Sequence, residues 1–338
     1  MDSAIQSADE AFPLFRKRSA GRRSGHPSML SQLAAVDSDR VLVILQLAGG
    51  NDGLNTIVPY RNDLYFSSRP GLAVSDSVPV SDELGFHPSF APLTNAFSDG
   101  NIAIVHSVGY PDSKLSHFSG TDIWMTAGDS SSSIPDDGWA GRVLDAERGK
   151  VRFSYPMAIQ LGEGAPLLFQ GPSSQMGMSI QSMELFQRLA TTGQFYDTSN
   201  LPPTQLGEVV GFMRSVSNNT IFYAESVRDS YTAGTNQADY PVDNPLSDQL
   251  AAIARLIRGG LGTRIYHVTL GGFDTHAGQA EPHETLLRHV GGAMASFFED
   301  LGQDDLDQRV LGMTFSEFGR RVKQNASGGT DFGVLDLL

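Results

Sequence analysis

Residues 41–48 read VLVILQLA, an uncharged and almost wholly apolar run that stops at Gly49-Gly50-Asn51-Asp52-Gly53. A stretch with no polar face suits a strand covered on both sides, as in a parallel sheet packed between helices. The glycine-rich cluster that follows is turn chemistry and ends the strand abruptly. A chain that opens its folded part this way must supply crossover helices, because parallel neighbours cannot be joined by tight hairpins.

The pattern recurs. Ile102–Val108 reads as a second buried strand, preceded by a helix around Phe90–Phe97, and another helix begins near Ser116 and runs through Trp124. A Ser-, Asp- and Pro-rich loop spans 128–138. Leu246–Arg258 reads as a helix, Arg264–Leu270 as a strand, and Val310–Phe315 as a last strand. Between them, Leu286, Leu287, Val290, Met294, Phe297, Phe298 and Leu301 recur at helical spacing and form a core-facing stripe. Alternating strands and helices define an α/β fold with a doubly wound, mostly parallel sheet and helices on both faces. Residues 1–40 are expected to be a flexible basic leader. Residues 41–338 are expected to form one domain, with a helical insertion at about 150–245. In that insertion Tyr155–Gln160 is a short strand, and Met183–Ala190 and Leu206–Tyr231 are helices.

The charge balance excludes some partners. With 38 acidic against 24 basic side chains the formal net charge is −14, which repels nucleic acid and anionic membrane. A small anionic ester is still admissible, since it needs only a local positive site. The absence of cysteine rules out disulfides and thiolate metal sites, leaving His, Asp, Glu and hydroxyl ligands. No run of 18 apolar residues exists to span a bilayer. Arg16-Lys17-Arg18 and Arg22-Arg23 could begin an export signal, but the stretch from Ser24 to Ser38 is too polar for its apolar core. The expectation from the leader is therefore a cytoplasmic chain.

In open α/β sheets, sites form outside the carboxyl ends of the strands. Three strands end there in polar, glycine-flanked clusters: Asn51-Asp52, Asp274 with His276, and Ser316-Glu317. Converging carboxylates and imidazoles suit a hard or borderline divalent cation. Each cluster also has a plainer reading: turn chemistry for Asp52, a cap and a surface histidine for Asp274 and His276, and a solvated salt bridge from Glu317 to Arg320 or Arg321. Ser116-His117 lies at a predicted helix start, where the dipole favours a nucleophile attacking an anionic ester, or where Ser116 simply caps the helix. His283 and His289 are expected to be exposed, His283 with a minor claim as a ligand. His106 and His267 are expected to be satisfied core histidines, and Trp124 and Trp139 to pack in or over the core.

The segments LQLAGGNDGLNTIVPY, LGFHPSFAPL, VGYPDSKLSHFSGTDIW, GWAGRVLD, TLGGFDTHAGQ and MTFSEFGRRVKQNASGGTD together closely resemble the bacterial domain-of-unknown-function 1501 family. That family is similar to the alkaline phosphatase and sulfatase superfamily. The resemblance implies a phosphatase-like fold, two divalent metal ions (zinc, manganese or calcium), and hydrolysis of phosphate or sulfate esters. It also implies that relatives are often exported through twin-arginine signals. Carried over by position, Asp52, Asp274, His276, Glu317 and Asp331 would be metal ligands, with Ser116 and His117 catalytic. Phe332 stands where the resemblance places a ligand histidine, and the strand expected after it is missing. The expectation is a chain truncated at its C-terminus and possible inactivity. The alternatives are a non-catalytic carbohydrate- or surface-binding relative and a degraded fragment.

Overall fold

The computed structural model describes residues 39–110, 112–113, 115–128, 134–148, 153–164, 166–172, 174–333 and 336–337. The basic leader expected over residues 1–40 lies almost wholly outside the described residues.

Five strands form the central sheet: β1 (Val41–Ala48), β2 (Ala158–Leu161), β3 (Gly177–Ile180), β4 (Ile265–Gly271) and β5 (Val310–Phe315). Their spatial order is β3-β2-β4-β1-β5, and every neighbouring pair is parallel. The helices that matter for the site and surface are α1 (His117–Thr126), α2 (Trp139–Arg148), α3 (Met183–Thr192), α4 (Gln205–Ala233), α5 (Pro245–Arg258) and α6 (Ala280–Gly302).

The unbroken apolar run of β1 is explained by its place between β4 and β5, with covered faces on both sides. Its side chains alternate across the sheet. Val41, Val43, Leu45 and Leu47 enter one core with residues of α4, α5 and α6, while Ile44 enters the other with residues of α1 and α2. The stripe of α6 buries Leu287, Val290, Phe297 and Leu301 completely. Local signals set the helix ends. Asn244 accepts from Leu246 N at 3.0 Å and Pro245 occupies the first turn of α5, while Thr204 accepts from Gly207 N to start α4.

Some expectations change. Only His106–Val108 of the second predicted strand is extended, and it pairs antiparallel with Asp336–Leu337 outside the main sheet. None of its apolar residues is fully buried (Ile102, Ile104 and Val108 are half-buried, Ala103 and Val105 exposed), and His106 is exposed rather than a core histidine. A short apolar run cannot by itself distinguish a core strand from an exposed connection. The segment 150–245 does contain α3 and α4, but β2 and β3 extend the central sheet, so it is more than a helical cover. On the far side, β5 is an edge strand among the described residues, with Leu311 53% exposed.

Two histidines are sealed inside. His267 on β4 meets Gln160 Oε1 through Nδ1 at 3.1 Å, and His283 on α6, expected to be exposed, is 2% exposed and meets Asn51 Oδ1 at 3.0 Å. Burial pushes both down to about 4. Unfolded, each would titrate near 6.5. Between these values the unfolded chain binds more protons, so stability is full above about pH 6.5 and falls as pH drops toward 4. At about 1.4 kcal/mol per pH unit, each contributes about 3 kcal/mol to the loss. Melting temperatures measured from pH 7.5 to 4.5 should fall steeply, and His267→Gln with His283→Gln should flatten the curve. An unchanged slope in the double variant would overturn this account.

Candidate functional site

Register brings the polar clusters to one rim. Ala48 lies opposite Gly271 and Gln46 opposite Phe315, so the turns after β1, β4 and β5 emerge together at the carboxyl edge. The first two turns touch backbone to backbone. Gly49 has φ 125°, and a Cβ there would lie 2.4 Å from Asp274 N. No other residue type fits that approach. Ser316 joins the third turn to the first, with its hydroxyl donating to Leu47 O at 2.7 Å and accepting from Asn51 N at 2.8 Å.

Arg320 binds all these segments. Its side chain is fully buried, and its guanidinium donates to Gly50 O, Gly49 O, Phe273 O and Thr330 O at 2.5–3.0 Å. A fifth contact reaches Asp274 Oδ1 at 3.0 Å. The solvated salt bridge considered for Glu317 is thus absent: Arg320 pairs with Asp274, and Glu317 is itself buried. The five donors of a planar fork explain why an arginine can serve several carbonyls at once.

Glu317, Asp274 and Asp331 alternate with two imidazoles. His117 is the first residue of α1, which lies over the third turn because Gly120 packs against Glu317 and Trp124 Nε1 donates to Glu317 O at 3.2 Å. His117 Nδ1 meets Glu317 Oε1 at 2.7 Å, an oxygen that also accepts from Gly49 N at 2.8 Å. Its Nε2 lies 3.4 Å from Asp274 Oδ2 and is buried without a hydrogen-bond partner. His276 mirrors this, with Nε2 2.9 Å from Asp274 Oδ1 and Nδ1 3.3 Å from Asp331 Oδ1. Asn325 donates to Asp331, and with His276 and Arg321 it holds that exposed carboxyl below the usual range.

Ser116 occupies the cap position of α1, but its hydroxyl makes no cap bond, so the plain capping reading does not account for it. Leu115 before it has φ 51°, a left-handed conformation that is uncommon outside glycine. Phe332 sits amid the cluster, its ring centroid 4.6 Å from that of His276 and 4.9 Å from that of His117, with the Arg320 guanidinium 4.9 Å away.

Asp52 stands on the same rim but has different partners. Arg69 and Gln279 each donate to Oδ2 at 2.5 Å, and Oδ1 is buried and unpartnered. Burial pushes this carboxyl up, yet the guanidinium of Arg69 outweighs it and holds the group below its ordinary value. Arg69 also donates to Val322 O and Arg321 O, tying the first turn to the segment after β5. Nothing in the sequence marks Arg69, the C-cap residue of a short helix at Asp63–Ser68, as the partner of Asp52. Gln279 and Thr330, hydrogen-bonded to each other beneath Asp52, are equally unmarked.

The donor chemistry suits a divalent cation. Metal-binding imidazoles ordinarily carry a carboxylate or carbonyl on the second nitrogen, as both do here, and Nε2 of His117 is buried with no hydrogen-bond partner. Even so, among the described residues no group of three or more His, Asp and Glu side chains is set to hold a metal ion as it stands.

Residues 223–333 match the family described as "Protein of unknown function (DUF1501)". This supports the family resemblance carried by the motifs over the segment with Asp274, His276, Glu317 and Asp331; Asp52, Ser116 and His117 lie outside it. No curated protein matches the chain. No helix among the described residues is long and apolar enough to cross a membrane.

Proposed function

We propose that this chain hydrolyses small phosphate or sulfate esters at the carboxyl rim of its sheet, with a divalent cation held by Asp274, His117 and His276. The observation that carries this reading is the pair of imidazoles that present Nε2 to one carboxylate while Glu317 and Asp331 brace Nδ1. The carboxylates fix the tautomer: Nδ1 keeps its proton, and Nε2 keeps the lone pair. Glu317 and Asp331 are then positioning residues rather than ligands, and His117 is a ligand rather than a proton carrier. Asp52, neutralised by Arg69, has no need of a second ion. The cation supplies polarisation of the ester and charge stabilisation. Ser116 is the nucleophile, at the positive end of α1 with its hydroxyl free of capping duty. Kinship with alkaline phosphatases and sulfatases belongs to this same proposal.

Equilibrium dialysis against zinc, manganese and calcium, followed by assays on para-nitrophenyl phosphate and sulfate, tests it. One ion per chain is expected, lost in Asp274→Ala, with Glu317→Gln weakening affinity about 10–100-fold. Phe332→His should strengthen binding at least about tenfold, because the ring already stands between the two imidazoles. Ser116→Ala should retain the ion and lose turnover. Protein that binds none of the three metals and cleaves neither ester would overturn the proposal. A second reading, a non-catalytic relative that binds a carbohydrate or surface, is favoured by Phe332 in place of a ligand and by the arginines that already neutralise Asp52, Asp274 and Asp331.

A further inference from the structure

Phe332 brings an apolar ring into contact with both imidazoles of the rim, and its position is fixed from several sides. Arg321 N donates to Asp331 O at 3.0 Å before it, and Gly333 N donates to Gly319 O at 2.7 Å after it. The ring lies 4.6 Å from that of Phe318, itself buried, and the Arg320 guanidinium stands 4.9 Å from its centroid. With His117 at 4.9 Å and His276 at 4.6 Å, the four rings form one array of edge-on and tilted contacts. Phe332 is nevertheless only half-buried. Part of a rigidly held aromatic surface therefore meets solvent beside the two imidazoles.

The arginines of the rim are already occupied. Arg69 pairs with Asp52, Arg320 with Asp274 and Arg321 with Asp331. None of these three is free to hold a second anionic group on a ligand. The net charge of −14 adds a field that disfavours one.

We propose that Phe332 selects the alcohol part of the substrate: the ester cleaved here is that of an uncharged aromatic alcohol, whose ring packs against Phe332. This rests on the ester-hydrolase reading of the rim, which puts the phosphoryl or sulfuryl group against His117, His276 and Asp274. Phe332 touches both of those imidazoles, so an aromatic group bonded to the ester oxygen falls within the reach of ring-to-ring contact. The ring is held before any ligand arrives, so little ordering cost is left to binding. An aliphatic group of the same size gains the same apolar burial but lacks the quadrupole that favours edge-to-face pairing, a difference of about two- to tenfold in affinity.

Isothermal titration calorimetry of the full chain, dialysed in turn against zinc, manganese and calcium, is the test. The probes are phenylphosphonate, cyclohexylphosphonate and para-carboxyphenylphosphonate, whose carbon–phosphorus bonds are not hydrolysed, so binding is read apart from turnover. Phenylphosphonate is expected to bind about two- to tenfold tighter than cyclohexylphosphonate, and para-carboxyphenylphosphonate more weakly than phenylphosphonate. Phe332→Leu should erase the preference for phenyl over cyclohexyl, and Phe332→Tyr should keep it. The ratio is taken within each protein, so a general loss of affinity in a variant cancels. Equal affinity of wild type for phenyl- and cyclohexylphosphonate, a preference that survives Phe332→Leu, or tighter binding of the carboxylated probe would each sink the assignment and leave the rim as an ester site. Wild-type protein that binds none of the three probes would overturn the hydrolase reading, and this assignment with it.

Discussion

Arg320→Met is expected to lower the melting temperature by roughly 10 °C or more and to abolish any ligand binding at the rim. The guanidinium satisfies four backbone carbonyls and one carboxylate oxygen from three separate segments. Methionine fills similar volume but donates nothing, so the carbonyls of Gly49, Gly50, Phe273 and Thr330 would be left without their charged donor. Each buried acceptor without a partner costs about 1–3 kcal/mol. Even with relaxation the sum is on the order of 5 kcal/mol, a large fraction of a typical domain's stability. A domain of this size loses about 2 °C per kcal/mol. Lysine is expected to rescue little, because one ammonium cannot reach acceptors spread across a planar fork. Calorimetry of wild type, Arg320→Lys and Arg320→Met checks this; a methionine variant melting within about 3 °C of wild type would show that the clamp is dispensable.

Arg69→Met should cost about 3–5 kcal/mol, since it strands the buried Asp52 carboxylate without its counter-charge. The pH dependence is diagnostic. In the wild type Asp52 has a depressed pKa, so its contribution is present above the ordinary carboxylate value and is lost as pH falls through the lower, folded one. Without Arg69, burial, the largest influence on Asp52, acts against only the weaker effects of Gln279 and His283 and raises the group, so the variant is penalised most at neutral pH and recovers relative to wild type as Asp52 takes up a proton. Asp52→Asn combined with Arg69→Met should cost less than the sum of the single changes, with a coupling of about 1–3 kcal/mol. Denaturant melts at pH 7.5 and 5 supply every term, and strictly additive losses would mean that the ion pair contributes nothing specific.

The parallel strands and main helices were legible because each is a long periodic or unbroken apolar segment. β5 and α3–α5 fall within a residue or two of where spacing alone puts them, and the stripe from Leu286 to Leu301 lies within α6. The misreadings share a cause. The sequence neighbours suggest a buried His106 and an exposed His283, yet burial depends on what packs from elsewhere: His106 lies exposed on a short strand pair outside the main sheet, whereas Asn51 and Phe273 close over His283. The rim clusters were legible as polar groups at strand ends. Their partners were not, because Arg69, Gln279 and Arg320 reach them across separations of tens to hundreds of residues.

The sequence by itself determined that this chain forms a parallel α/β sheet and that its carboxylates and imidazoles collect at the carboxyl ends of β1, β4 and β5. Apolar periodicity and glycine turns are local properties, and they decide local structure. Only the tertiary structure decided which carboxylate meets a guanidinium and which meets an imidazole: Asp52 with Arg69, and Glu317 with His117. Charge pairing in a buried setting depends on angstrom-scale distances between segments remote in the chain, and spacing along the sequence carries no measure of those distances.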